Sequence, residues 1–434
     1  MRWLKSNKKG SSIVLLAMVF MALVMCITMA IGISRMLVVK SEVEVFGYDW
    51  TKAILSEYDI HLLEDYGIMA YFGNEDEVKK KIDMYLSYSA KNKLDANIGN
   101  TDSDLSGYEM GNAGNFRKAL KLAYTSSEID SLINNFNRER RSDSNTEENY
   151  TGRTIKNEVV LDTLPSAGLH STFNINSIAK WLSEQDSFAG LREKIANAGV
   201  EYAFIEKNLG NNVTKGSSKD GYFKNEWEYI INGKPDDEAN LNACKDRIGL
   251  LRNALNLAYL NKDPEKKAVI LAVSECINPA GGILTQAIVT EAWALLETEE
   301  DMKALMRNER IPFMKDAMSW KTDISSVFSS EKFINSISEE EMSELEKGKE
   351  ELMQLSGGRG CESAITQGQC YDDYLLAMIS MMDEELRTLR IMDVVQINMK
   401  YRYYEDFNMD EYYIGTRFSI KANGKEYEFE ECYK

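Results

Sequence analysis

The sequence predicts a mainly helical α+β protein. It combines a long N-terminal helix serving as transmembrane segment and spine, a small antiparallel sheet with a C-terminal hairpin, and a helical subdomain. Three observations predict it. Ile13 to Ile33 is a run of 21 residues without a charge, and a three-four apolar rhythm continues beyond it. Residues 226–399 carry a succession of helix-spaced apolar stripes. Near the C-terminus, two alternating segments flank Asn423-Gly424, the dipeptide favoured in a type I′ turn.

Residues 1–10 form a basic leader with Arg2, Lys5, Lys8 and Lys9, and 11–38 the transmembrane helix. Some twenty helical residues span roughly 30 Å, the apolar thickness of a bilayer. The positive-inside rule places the N-terminus in the cytoplasm and the remainder outside the cell. A removed secretory signal is the alternative, but its apolar core is shorter and a small-residue cleavage site follows it. Here helix-compatible sequence continues instead. Val43, Phe46, Trp50, Ile54, Leu55, Tyr58 and Leu62 lie on one face, predicting one continuous helix to about Glu64. Ile68 to Phe72 reads as a short strand, Gly73-Asn74 as a turn, and Glu75 to Lys93 as an amphipathic helix.

Residues 95–156 carry little pattern apart from a helix over 116–136, and 138–156 reads as a flexible loop. A strand over 158–165, helices at 175–185 and 188–209, and a flexible patch at 211–219 follow, closing an N-terminal α+β ectodomain over 39–225. Residues 226–355 read as a helical subdomain. Pro235-Asp-Asp-Glu opens a helix with the buried stripe Leu241, Cys244, Ile248, Leu251, Leu255 and Ala258. Helices follow from Pro264 to Cys276, through Ile283, Ile288, Ala292, Trp293 and Leu296, and over 338–355. Residues 371–434 complete the ectodomain with a long apolar helix, 371–399, and the hairpin. In the hairpin Ile420 faces Tyr427 and Phe418 faces Phe429, while Lys421 meets Glu426 and Arg417 meets Glu430. Its apolar face is expected to pack on a helix.

A net charge of −18 argues against a nucleic-acid partner, which requires a basic face. The two histidines, His61 and His170, are far apart and remote from cysteine, so no metal site of ordinary spacing is expected. Gly281-Gly282 and Gly357 to Gly360 lack the lysine of a phosphate-binding loop, and no GxSxG elbow offers a nucleophile. The acid groups Asp236-Asp237, Glu339-Glu340-Glu341 and Asp372-Asp373 read as helix N-termini. Of six cysteines, Cys26 lies in the membrane span. Cys361 and Cys370 bracket a polar loop as a possible disulfide, while Cys244 and Cys276 read as small buried hydrophobes. Met378, Met381, Met382, Met392 and Met399 read as core. No catalytic residue, cofactor or small-molecule ligand is expected.

Lys9-Gly10, the apolar helix ending at Arg35, Ser56-Glu-Tyr-Asp59 and Leu63-Glu-Asp-Tyr-Gly67 together resemble the TadE/TadG-like pilin-related proteins of tight-adherence (Flp-type IV) pilus loci. Three later blocks resemble an uncharacterised family of Gram-positive, Clostridia-like bacteria. They are Trp227-Glu-Tyr-Ile-Ile-Asn-Gly-Lys234, Tyr371-Asp-Asp-Tyr-Leu375 and Arg390-Ile-Met-Asp-Val-Val-Gln-Ile-Asn-Met399. The resemblance implies a non-enzymatic, membrane-anchored, minor pilin-like or assembly component whose partners are the bilayer, through residues 11–38, and other pilus proteins. It also implies prepilin-type processing between Gly10 and Ser11. The fifth position after that cut is Leu15, where pilins carry glutamate. The competing reading is a free-standing membrane-anchored extracytoplasmic binding or sensor protein.

Overall fold

The computed structural model describes residues 9–89, 98–124, 153–155, 160, 163–171, 189–214, 221–279, 282–355 and 368–433. The fold is mainly helical α+β, and by its contacts the chain divides into two units. The first comprises residues 1–60, 69–115 and 410–434; the second comprises 61–68 and 116–409.

In the first unit, α1 (Lys9–Leu55) changes character along its length. From Ile13 to Val38 its large apolar side chains are exposed, and among the described residues it is the one helix long and apolar enough to cross a membrane. From Val39 onward, Val39, Val43, Trp50, Ile54 and Leu55 are buried. What covers them is the hairpin of β4 (Gly415–Ala422) and β5 (Lys425–Cys432). Every pair expected from the sequence is present: Ile420 with Tyr427, Phe418 with Phe429, Lys421 with Glu426 and Arg417 with Glu430. Asn423 and Gly424 have φ of 52° and 79°, both left-handed, as the type I′ turn requires. Gly47 lets helix and sheet meet closely, because the Phe429 ring occupies the space a Cβ there would need.

The helix does not run to Glu64. It ends at Leu55, and after a turn α2 (Ile60–Tyr66) follows. The backbone turns away because Tyr58 bridges to Tyr71 and the Asp59 amide donates to the Ala70 carbonyl, a pairing that outweighs the helical rhythm. The expected strand over 68–72 shortens to β1 (Tyr71–Phe72), paired with β3 (Tyr412–Tyr413). Helix α3 (Glu75–Ser89) forms as expected, with Val78 and Ile82 buried. The sequence pattern misses β2 (Ile98–Asp104), which pairs antiparallel with β4 to give the order β2-β4-β5. Its sequence, IGNTDSD, has no strand signature. Its place is set by β4 and by hydroxyls reaching α3: Thr101 donates to Asp83 at 2.5 Å and Ser103 to the Glu75 carbonyl at 2.6 Å.

The second unit is helical. Its elements are α5 (Ala189–Asn208), α6 (Glu226–Asn232), α7 (Asp237–Lys262), α8 (Pro264–Ile277), α9 (Gly282–Met306), the short α10 (Ile324–Phe328) and α11 (Glu331–Ile334), then α12 (Glu339–Leu355), α13 (Tyr371–Met381) and α14 (Glu384–Arg402). Helix α4 (Ala113–Ala123) precedes them and confirms the start of the helix expected over 116–136, whose remainder lies outside the described residues. One apolar cluster joins Val269, Ile270, Val273, Trp293, Trp320, Ile324, Phe333, Leu345 and Leu352.

Several expectations change here. The long helix over 371–399 is two, because Asp383 caps α14 by accepting from the amides of Glu385 and Leu386. On α7, Leu255 is only half-buried and Ala258 exposed, while Asn240, Arg252 and Asn256 share the buried face with Cys244, Ile248 and Leu251. Val160 is helical and Thr163 to Gly168 a turn, where a strand was expected. The loop over 138–156 lies outside the described residues except for 153–155, and there Thr154 bridges to Asp236. The helix at 175–185 and residues 215–219 also lie outside them.

Candidate functional site

Gly10 and Ser11 lie in the first turn of α1, and Cys26 is exposed along its apolar stretch. Cys361 lies outside the described residues, so its pairing with Cys370 is not visible. Cys370 itself is a buried thiol at the start of α13. Its amide and Sγ face Asp373 Oδ2 at 2.9 and 3.3 Å, and burial pushes the thiol well above its ordinary range. Cys244 is buried and Cys276 half-buried against the helical core, while Cys432 is exposed. His61 stacks on Tyr403 with ring centroids 3.9 Å apart, and His170 is exposed. Of the methionines expected in the core, Met378, Met382, Met392 and Met399 are buried and Met381 is half-buried. Among the described residues no group of His, Cys, Asp and Glu is placed to hold a metal.

The three later sequence blocks converge on α6. This helix is short and buried from Glu226 through Ile231, including both glutamates. Glu226 accepts from Asn398 Nδ2 on α14 and from the Gly210 amide, each at 2.7 Å. Glu228 accepts from the Tyr371 hydroxyl on α13 at 2.8 Å, and its second oxygen is buried without a hydrogen-bond partner among the described residues. Tyr229 donates to Asp393 Oδ2 at 3.1 Å, and Asp393 also accepts from the Ser166 amide and hydroxyl. Desolvation outweighs these hydrogen bonds. It pushes Glu226 and Glu228 up to about 7 and Asp393 up to about 6.

The acid pairs read as helix caps do more than cap. Asp236 caps α7, accepting from the Ala239 amide. Its neighbour Asp237 is fully buried and accepts from the amides of Lys224 and Asn225 at 3.1 Å. Asp372 accepts from Asn211 Nδ2 at 2.7 Å and Thr214 Oγ1 at 2.9 Å, which pins residues 211–214 where a flexible patch was expected. These carboxyls spend their oxygens on loop amides and side-chain donors, so their chemistry here is to hold irregular backbone in a fixed place.

A second charged cluster joins α7, α9 and the segment after α9. Arg252 contacts Asp301 through Nε at 3.0 Å and a terminal nitrogen at 2.9 Å, and it donates to the Pro312 and Phe313 carbonyls. Lys315 Nζ lies 2.7 Å from Asp301 Oδ1 and in contact with Glu297 Oε1. All four side chains are at most 1% exposed. Burial pushes Asp301 up, but the Arg252 and Lys315 cations and the hydrogen bonds from Lys315 and Asn256 together outweigh it, so its carboxyl sits below its ordinary range. Residue type alone gives no sign of this cluster, since Arg252, Glu297, Asp301 and Lys315 sit in helices and a loop that read as amphipathic or polar.

Fold and sites together define a mainly helical α+β protein with one apolar N-terminal helix and two internal polar clusters. The chain belongs to DUF5702, a family of unknown function whose sequence model matches residues 156–424. That match spans both charged clusters and leaves α1 outside it. No curated protein and no solved structure matches the chain.

Proposed function

We propose that this protein is a membrane-anchored extracytoplasmic structural or assembly component, minor pilin-like, of a Tad/Flp-type pilus. The observation that carries the reading is the two-part α1, whose apolar side chains are exposed from Ile13 to Val38 and buried beneath the hairpin from Val39. One rigid helix thus links a lipid-compatible segment to a folded sheet, which suits a subunit that presents an ectodomain from the membrane. In this reading the N-terminus is cytoplasmic, the ectodomain extracellular, and the role non-enzymatic. Partners are other pilus or assembly proteins, met laterally through residues 11–38 and through ectodomain faces. The sealing of the α6 carboxyls inside the core favours a structural role over a catalytic one.

N-terminal sequencing of the membrane-extracted protein, with cross-linking in intact cells, tests it. The expected result is capture of pilus-assembly products, with Ser11 as the first residue where a prepilin-type peptidase acts. A start at Met1 with no such product captured would replace this reading with the free-standing binding or sensor protein.

A further inference from the structure

We propose that Lys315 and Glu297 condense to an intramolecular amide, an isopeptide cross-link that ties the 307–323 segment covalently to α9, with Asp301 as the proton-transfer group. The amine and the carboxyl group are in contact. Lys315 Nζ touches Glu297 Oε1 and lies 2.7 Å from Asp301 Oδ1, and all three side chains are at most 1% exposed. Such placement removes the entropic cost of bringing nucleophile and carboxyl together.

The two carboxyls differ in the way the reaction needs. Glu297 Oε2 faces two converging donors, the Thr322 amide at 2.8 Å and the Thr322 hydroxyl at 2.7 Å, while the Lys321 amide is shared between Oε1 at 3.0 Å and Oε2 at 3.2 Å. Donors fixed on one carboxyl oxygen polarise the carbon and receive the oxyanion of a tetrahedral intermediate. Asp301 instead is held as a carboxylate by Arg252 and Asn256, which makes it a poor electrophile, and its Oδ1, 2.7 Å from Lys315 Nζ, is placed to relay protons.

The step balances without a co-reactant. Asp301 takes a proton from the Lys315 ammonium and passes it to Glu297 Oε1. The neutral amine then attacks the Glu297 carboxyl carbon, and Oε2 becomes the oxyanion. Asp301 takes a second proton from the nitrogen and returns it to Oε1, which leaves as water. A C–N bond forms, a C–O bond breaks, and Asp301 ends as the carboxylate paired with Arg252. The environment favours this direction. Four buried charges are costly, and condensation removes one cation and one anion while the Arg252–Asp301 pair stays satisfied. Trp320, 5.6 Å from Nζ, and Trp293 in the same apolar cluster shield the site from the water that would reverse the reaction.

Tryptic digestion of the denatured full-length protein, read by tandem mass spectrometry, tests this. The expected product is a branched peptide lighter by one water than its two parts, with fragment ions placing the junction at Glu297 and Lys315. Asp301→Asn is expected to keep the circular dichroism spectrum and give only linear peptides. Glu297→Gln is expected to give the same branched peptide, releasing ammonia in place of water. Full recovery of a linear peptide cleaved after Lys315 from the folded wild-type protein would overturn the proposal, and so would a junction at any other residue. The wild-type digest decides even where a variant does not fold.

Discussion

Beneath the β4–β5 hairpin, Phe418, Ile420, Tyr427 and Phe429 meet Val39, Val43, Trp50 and Ile54, a core built of apolar side chains. In the helical unit, fully buried positions include Arg252, Glu228, Asp237, Glu297, Asp301, Asp372 and Asp393 beside the apolar cluster around Trp293. The first core gains its stability from area removed from water, a non-directional force that needs only the right face. The second carries groups whose desolvation is costly unless every oxygen and N–H finds a partner. Its partners include the backbone of irregular segments, at Gly210, Asn212, 224–225, 312–313 and 321–322, and the side chains of Asn211 and Thr214. This protein buries charge selectively. It does so where long connections must be fixed, and it relies on apolar contact where a hairpin and a helix already have complementary faces.

The largest effect is expected at Arg252. Arg252→Met leaves Asp301 beside Lys315 without its main counter-charge, and the expected cost is about 3–5 kcal/mol of stability by urea denaturation. A value near zero would mean that the charged cluster contributes no more than a well-packed apolar one.

The pH dependence of stability is expected to give the next largest effect. Glu228 holds its proton up to about pH 7 in the fold against 4.5 for an ordinary glutamate. The folded state therefore binds more protons between those values. Stability is full below pH 4.5 and falls as pH rises toward 7, by at most about 3 kcal/mol for this group. Glu228→Gln is expected to flatten that slope in thermal melts taken from pH 4.5 to 8. An unchanged slope would show that Glu228 is ionised in the fold.

On the apolar side, Gly47→Ala drives a methyl into the Phe429 ring, an overpacking expected to cost about 1–3 kcal/mol. Phe429→Leu in the same chain is expected to recover part of the loss, so the double-mutant coupling is expected to be favourable. Independent, additive effects would mean that helix and hairpin do not meet at this point.

The legible parts of the sequence share one property: a local period. The 21-residue apolar run and the hairpin's paired alternations were readable because burial repeats at the spacing of the element itself. Strand β2 was not readable, since Thr101 and Ser103 are held by hydrogen bonds to α3 and by pairing with β4, neither of which leaves an apolar period. The break at Ser56 to Asp59 was hidden for the same reason, because it depends on Tyr71 and Ala70. The α6 cluster was legible only as sequence blocks, with nothing to say that Glu228 meets Tyr371 or that Tyr229 meets Asp393.

The apolar N-terminal helix, most of the helices beyond residue 226 and the hairpin with its register are local consequences of the sequence. Each follows from side-chain hydrophobicity read against a fixed backbone period. Which charges are buried, and what they hold, depends on contacts between segments far apart in the chain. A carboxyl inside the core is stable only when partners from distant segments arrive together, and such partners, as with Asp372 and Asn211 or Lys315 and Glu297, leave no local trace.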